Sequence, residues 1–353
     1  MTQTTATSAG KPGGFTDRLR RFWPFGGGSA ASGWRGRVGA IVAGIVLTLF
    51  LGVCWYWSRE PAPLWVNWES QGAPAVKGYA TTDTLISVAG TLMDKPGGYL
   101  SNDILPPGVI LDNIPNWEFG VLVQVRDLSR VMRNDYSRSQ TQSLEDPDLK
   151  EAEPAFSFNP KRWIFPSTES KYRQGIGYLE SYRDRLEDSA NSDTQFYARA
   201  DNLREWLAVV EKRLGDLSQR LSASVGQRRV NTDLAGDRAA GTATPRSNDI
   251  EVKTPWLQID DVFYEARGAA WALTHFMRAA EYDFEKVLDD KNAGVSLRQI
   301  IRELEASLAP MRSPIVLNGT GFGVTANHSL VMASYLSRAN SAVIDLRALL
   351  DQG

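Results

Sequence analysis

Cysteine is almost missing from this chain: one residue in 353, Cys54, and it falls inside the one long apolar run. A lone thiol makes no intrachain disulfide, so everything after residue 57 folds without covalent staples. A stretch of about 296 residues buries enough apolar surface to do so. Histidine is nearly as scarce, with two residues, His275 and His328. A zinc site takes three or four ligands, usually Cys or His, and no HExxH or i,i+4 histidine pair is present. The GxSxG elbow of serine hydrolases and the Gly-Lys-Ser/Thr ending of a phosphate loop are also missing. Neither a cofactor nor a catalytic residue is expected on these grounds.

An excess of positive charge is lacking too. Of 39 basic and 41 acidic side chains, six and one precede residue 58, so the remainder carries a net charge of −7. Such a surface offers no basic patch for nucleic acid.

What is there begins with Val38–Trp57, twenty residues without a charge (VGAIVAGIVLTLFLGVCWYW). As a helix this run spans about 30 Å, the hydrocarbon thickness of a bilayer. Lys11, Arg18, Arg20, Arg21, Arg35 and Arg37 precede it against the single acid Asp17, whereas Ser58-Arg59-Glu60-Pro61 after it is balanced. Basic flanks stay on the cytoplasmic side, which predicts a single pass with residues 1–37 inside and 58–353 outside. Trp34, Trp55, Tyr56 and Trp57 suit the two headgroup zones. A cleaved secretory signal is disfavoured, because the run exceeds a signal core and Trp-Tyr-Trp-Ser-Arg-Glu-Pro offers no small-x-small cleavage site. The bilayer is thus the expected partner of residues 38–57. Ala40, Gly44, Thr48 and Gly52 form a face of small side chains on which two such helices can approach. Small residues are common in membrane helices, so this face permits a homodimer without requiring one.

The Gly- and Ser-rich first 37 residues read as a disordered tail, and residues 58–80 as an extended connector. Beyond them the apolar residues recur at helical spacing, which predicts an all-α bundle in two halves, 81–225 and 256–353, around a polar loop at 226–255. Helices are expected over 82–94, 116–137 (capped by Asn116), 168–188, 196–221, 257–290, from Ser296, and 329–350. Val121, Val123 and Val125 also alternate as in a short strand, but the length of the run favours helix. Residues 138–167, with several prolines, are expected as loop. In the longest seam Phe196, Ala200, Leu203, Leu207, Val210, Leu214, Leu217 and Leu221 follow a 4-3 spacing. An intermolecular coiled coil would favour β-branched residues at positions held here by Ala200, Leu207, Leu214 and Leu221. Trp206 also widens the stripe, so packing within the chain is the preferred reading.

Other features have bland readings. His275 is expected as a structural histidine in a helix, with His328 beside the N-cap candidates Asn327 and Ser329. GTGFG at 319–323 lacks the strand–turn–helix setting of a dinucleotide fingerprint and reads as a turn between helices. The acidic pairs Asp260-Asp261, Glu281 with Asp283, and Asp289-Asp290 read as solvated helix faces.

Three segments, YWSREP (56–61), NWEFGVLVQVRDLSRVMRNDYSRSQ (116–140) and NHSLVMASYLSRANSAVIDLRALL (327–350), resemble the proteobacterial domain-of-unknown-function family 2333, from about residue 40 to the C-terminus. The resemblance implies an inner-membrane-anchored protein of Gram-negative bacteria and assigns no activity and no site residue. Two functions remain: a non-enzymatic periplasmic bundle that engages other envelope proteins, or a cell-wall-acting enzyme with a carboxylate pair. A cleft holding two carboxylates, at least one with a raised pKa, would favour the second.

Overall fold

Helix α1, Ala30–Trp57, holds the apolar run, and its side chains from Gly33 to Leu49 are all exposed. It begins eight residues before Val38, so Arg35 and Arg37 belong to the helix and not to a tail. A helix has no need to stop where the hydrocarbon does, because its backbone bonds are internal at any depth. The computed structural model describes residues 30–64, 76–139, 143–188, 193–230, 249–313 and 315–352. The expected tail up to residue 29, part of the connector and most of the 226–255 loop lie outside these. The chain divides into two compact units, Met1–Val53 and Cys54–Gly353.

The second unit is helical, with α2 Tyr79–Asp94, α3 Asn113–Val131, α4 Pro147–Phe156, α5 Thr168–Glu187 and α6 Ala200–Ser222. After these come α7 Ile259–Asp283, α8 Glu285–Asp290, α9 Gly294–Ser307 and α10 His328–Asp351. Most expected helices are therefore present, and the alternating valines lie in α3. Several boundaries need correction. Helix α3 starts before Asn116, and Asn116 does not cap it; its amide donates to Asp112 O and to Asp261 Oδ1. Within the expected 138–167 loop stands α4. Asp146 accepts from the N–H groups of Asp148 and Leu149, and Pro147 occupies the first turn, where a missing N–H costs nothing. Leu149, Ala152 and Phe156 then bury against the core, which holds a helix too short to stand alone. Within the expected 226–255 loop stands a two-stranded antiparallel ribbon, β1 Gln227–Val230 with β2 Asp249–Val252. The expected 257–290 helix breaks at Phe284, which leaves Asp283 free to act elsewhere.

Helices from both sides of 226–255 share one core. The seam residues Leu203, Leu207, Val210, Leu214, Leu217 and Leu221 are buried together with Trp206. Helix α6 runs antiparallel to α10, with Arg204 paired to Asp351 and Arg347 to Glu211. The seam therefore packs inside the chain. Helices α3 and α7 run side by side so closely that a Cβ on Gly120 would meet Glu265 O at 2.0 Å, and one on Gly268 would meet Trp117 O at 2.0 Å. Two glycines thus let two backbones touch, and Trp117 and Trp271 meet beside the crossing, with centroids 5.3 Å apart and planes tilted by 60°.

The bundle has two distinct ends. At one, Trp57 lies on Gly97 of the α2–α3 loop, close enough that a Cβ there would come within 2.8 Å of the indole. Asn102 of that loop donates to Arg162 O and Glu169 at the start of α5, and Asn116 reaches Asp261 at the start of α7. At the other end Asp283 caps α2, and Tyr136, Phe196 and Phe284 form an aromatic cluster with centroids 5.0–5.8 Å apart.

Candidate functional site

Among the polar side chains of α7, Arg267, His275 and Asp283 are spaced eight residues or about 12 Å apart. Each holds a successive piece of the chain that follows α1. Arg267 is 8% exposed as a side chain and takes both oxygens of Glu60, at 2.7 Å from Nε to Oε1 and 2.7 Å from Nη2 to Oε2. Its remaining N–H groups reach the carbonyls of Ser307, Leu308 and Ala309 at the C-terminus of α9. A planar fork with five donors can serve a carboxylate and a helix end at once, which a lysine cannot.

Two turns on, His275 Nε2 accepts the backbone N–H of Leu64 at 2.7 Å, and Nδ1 lies 2.6 Å from Trp271 O. The two contacts define a neutral ring protonated at Nδ1. Burial lowers its pKa from 6.5 to about 4. With both nitrogens engaged, the ring has no lone pair left for a metal. At the end of α7, Asp283 accepts from Gly78 N, Thr81 N and Thr81 Oγ1 at 2.7–2.9 Å, capping α2 from another helix. Burial raises its carboxyl, and these donors oppose the rise. Gly78 precedes α2 with φ of 89° and Phe196 against it, so no side chain fits there.

An open groove of about 610 Å³ lies at the Trp57 end, lined among others by Ser101, Asp103, Asp112, Phe119, Asp261 and Glu265. Burial raises Asp103, with Glu169 adding repulsion; burial raises Asp261, with Asp260 and Asp112 adding to it. Glu265 is neutralised by Arg220, whose two guanidinium nitrogens meet its oxygens at 2.8 and 2.6 Å. Under the groove floor, Lys95 and Glu118 form a fully buried pair at 2.6 Å. Glu118 also accepts from Leu100 N and Ser101 N, which shapes the loop that frames the groove. Burial pushes the Glu118 carboxyl up, and Lys95 pulls it back.

The remaining sequence candidates land apart from one another. His328 Nδ1 accepts from Leu317 N at 3.0 Å beside Phe263, and Asn327 supplies the α10 cap to Leu330 N. The GTGFG turn joins α9 to α10 and is closed by Gly319 N on Ala326 O. Of the acidic pairs, Asp261 lines the groove, Glu281 meets Arg298, and Asp283 is the cap. Ala40, Gly44, Thr48 and Gly52 all lie on α1 with exposed side chains; nothing stands within 4 Å of a Cβ on either glycine. Among the described residues no group of three or more His, Cys, Asp or Glu side chains is placed to hold a metal.

Comparison with known families matches residues 30–353 to DUF2333, an uncharacterized protein conserved in bacteria. The chain belongs to the DUF2333 family. No curated protein and no solved structure matches it. In this DUF2333 chain, Arg267, Lys95 and Glu118 went unnoticed in the sequence. Buried charges look like surface charges until the partner is in place, and the partner of Arg267 is 207 residues away. One signal was available: Arg267 sits in the apolar stretch Ala266-Arg267-Gly268-Ala269-Ala270-Trp271, where a solvated side chain has no room.

Proposed function

We propose that this protein is a single-pass inner-membrane protein with its N-terminus in the cytoplasm and its helical bundle in the periplasm. There the bundle acts as a non-enzymatic interaction domain of the cell envelope. The observation that carries this reading is α1, an apolar helix whose Gly33–Trp57 span contains an 18-residue window of mean hydropathy 2.4 with no buried side chain. A water-soluble protein would bury such a helix. Its basic N-terminal flank supports the orientation. Arg267, His275 and Asp283 of α7 support the rest: they are spent on holding the connector and on capping α2. A reporter active only outside the cytoplasm should work when fused after Gly353 and stay silent when fused before Val38. The reverse pattern sinks the orientation. Crosslinking in native membranes, followed by identification of the captured proteins, tests the interaction role.

A second reading, an enzyme acting on cell wall through a carboxylate pair, is favoured by one observation. Asp103 and Asp261 line the same groove, and both carboxyls are raised. Incubation of the full chain with purified peptidoglycan should then release soluble fragments, and Asp261→Asn should stop the release. No release from the wild type removes this reading.

A further inference from the structure

Four connections leave the bundle at the Trp57 end, and each exposes large apolar side chains. The α2–α3 loop presents Leu105 and Ile110, the α4–α5 loop Phe165, the approach to α7 Trp256 and Leu257, and the α9–α10 loop Phe322. Leu105, Phe165, Trp256 and Phe322 are each at least 72% exposed. Among the described residues, the opposite end exposes Leu144 and Val295. Exposed apolar clusters of this kind mark a surface that another phase or partner covers.

We propose that these loops seat in the interfacial layer of the same bilayer that α1 crosses, so that lipid is what covers them. The inference rests on α1 being a retained span. Given that, the tether decides the occupant. Ser58 and Arg59 are all that separates Trp57, the last residue of α1, from Glu60, which Arg267 holds. Trp57 itself rests on Gly97, at the root of the α2–α3 loop. With no slack between span and bundle, this end cannot move far from the headgroups. The side chains suit that place: Trp favours the headgroup zone, Phe and Leu bury at the headgroup–acyl boundary, and the basic pair Lys161-Arg162 directly precedes Trp163-Ile164-Phe165. Arg59 lies over Trp55 with 4.1 Å to the ring centroid, which adds a basic and aromatic collar at the boundary.

The test uses the full chain in a Cys54→Ser background, reconstituted into vesicles of phosphatidylethanolamine and phosphatidylglycerol. An environment-sensitive fluorophore is attached at Leu105→Cys, Phe165→Cys or Phe322→Cys. Leu144→Cys serves as the far-end control and Val46→Cys reports on α1. Nitroxides placed high or low on the lipid acyl chains act as quenchers. Blue-shifted emission quenched by the shallow nitroxide at positions 105, 165 and 322, without quenching at 144, supports the seating. Emission at 105, 165 and 322 that matches 144, while 46 is quenched by the deep nitroxide, overturns the seating and leaves the span intact. A blue shift with no lipid quenching overturns it too, because another protein surface then covers the loops. Absence of quenching at 46 overturns the span and the seating together.

Discussion

His275 shows how one side chain acquires its role from what approaches it. In the ordinary state imidazole takes a proton near pH 6.5; here burial lowers the folded value to about 4, and Nε2 is occupied by Leu64 N–H. The unfolded chain therefore binds a proton that the native one refuses. The contribution to stability is complete above about pH 6.5 and falls as pH drops toward 4, by up to about 3 kcal/mol. Glu118 and Asp283 work in the opposite sense: burial raises their folded values, so what they contribute is lost as pH rises through those values. Thermal melts of wild type and His275→Gln between pH 7.5 and about 4.5 isolate the histidine. The gap between the two curves should narrow on acidification, and parallel curves would refute the assignment. Glu118→Gln should cost about 3–5 kcal/mol in denaturant unfolding, because it leaves the Lys95 ammonium buried without its counter-charge.

Among the elements, the α3–α7 crossing and the α6 seam make the sharpest expectations. Gly268→Val places methyl groups where Trp117 O already sits, so the helices must part. A loss of at least about 1–3 kcal/mol should follow, with a change in tryptophan fluorescence because Trp117 and Trp271 separate. Leu214 is fully buried in the seam between α6 and α10. Leu214→Asp should therefore unfold the bundle, by several kcal/mol, and circular dichroism should report loss of helix. A helical monomer derived from a wild-type dimer would mean that the seam joins two chains.

For the whole bundle, the decisive fact is that α6 packs on α10 and α3 on α7, across the 226–255 segment. A specific protease site inserted between residues 231 and 248 should yield two fragments that stay associated after cleavage and unfold together in one thermal transition. Fragments that separate under native conditions would argue for two independent halves.

The sequence alone carried whatever depends on short range. The charge-free run, the 4-3 spacing of the α6 seam and the cap at Asn327 each lie within a few turns of chain, so helix periodicity and capping chemistry reveal them directly. It misread α4, since Pro147 and Asp146 look like a loop until their places in the first turn are known, and it ran α7 through Phe284 because apolar spacing continues there. The tertiary structure decided the rest. Glu60 meets Arg267, Leu64 meets His275, and Thr81 meets Asp283 across more than 200 residues. No local pattern encodes which buried donor will find which acceptor; only the packing of α7 against the connector and α2 brings them within 3 Å.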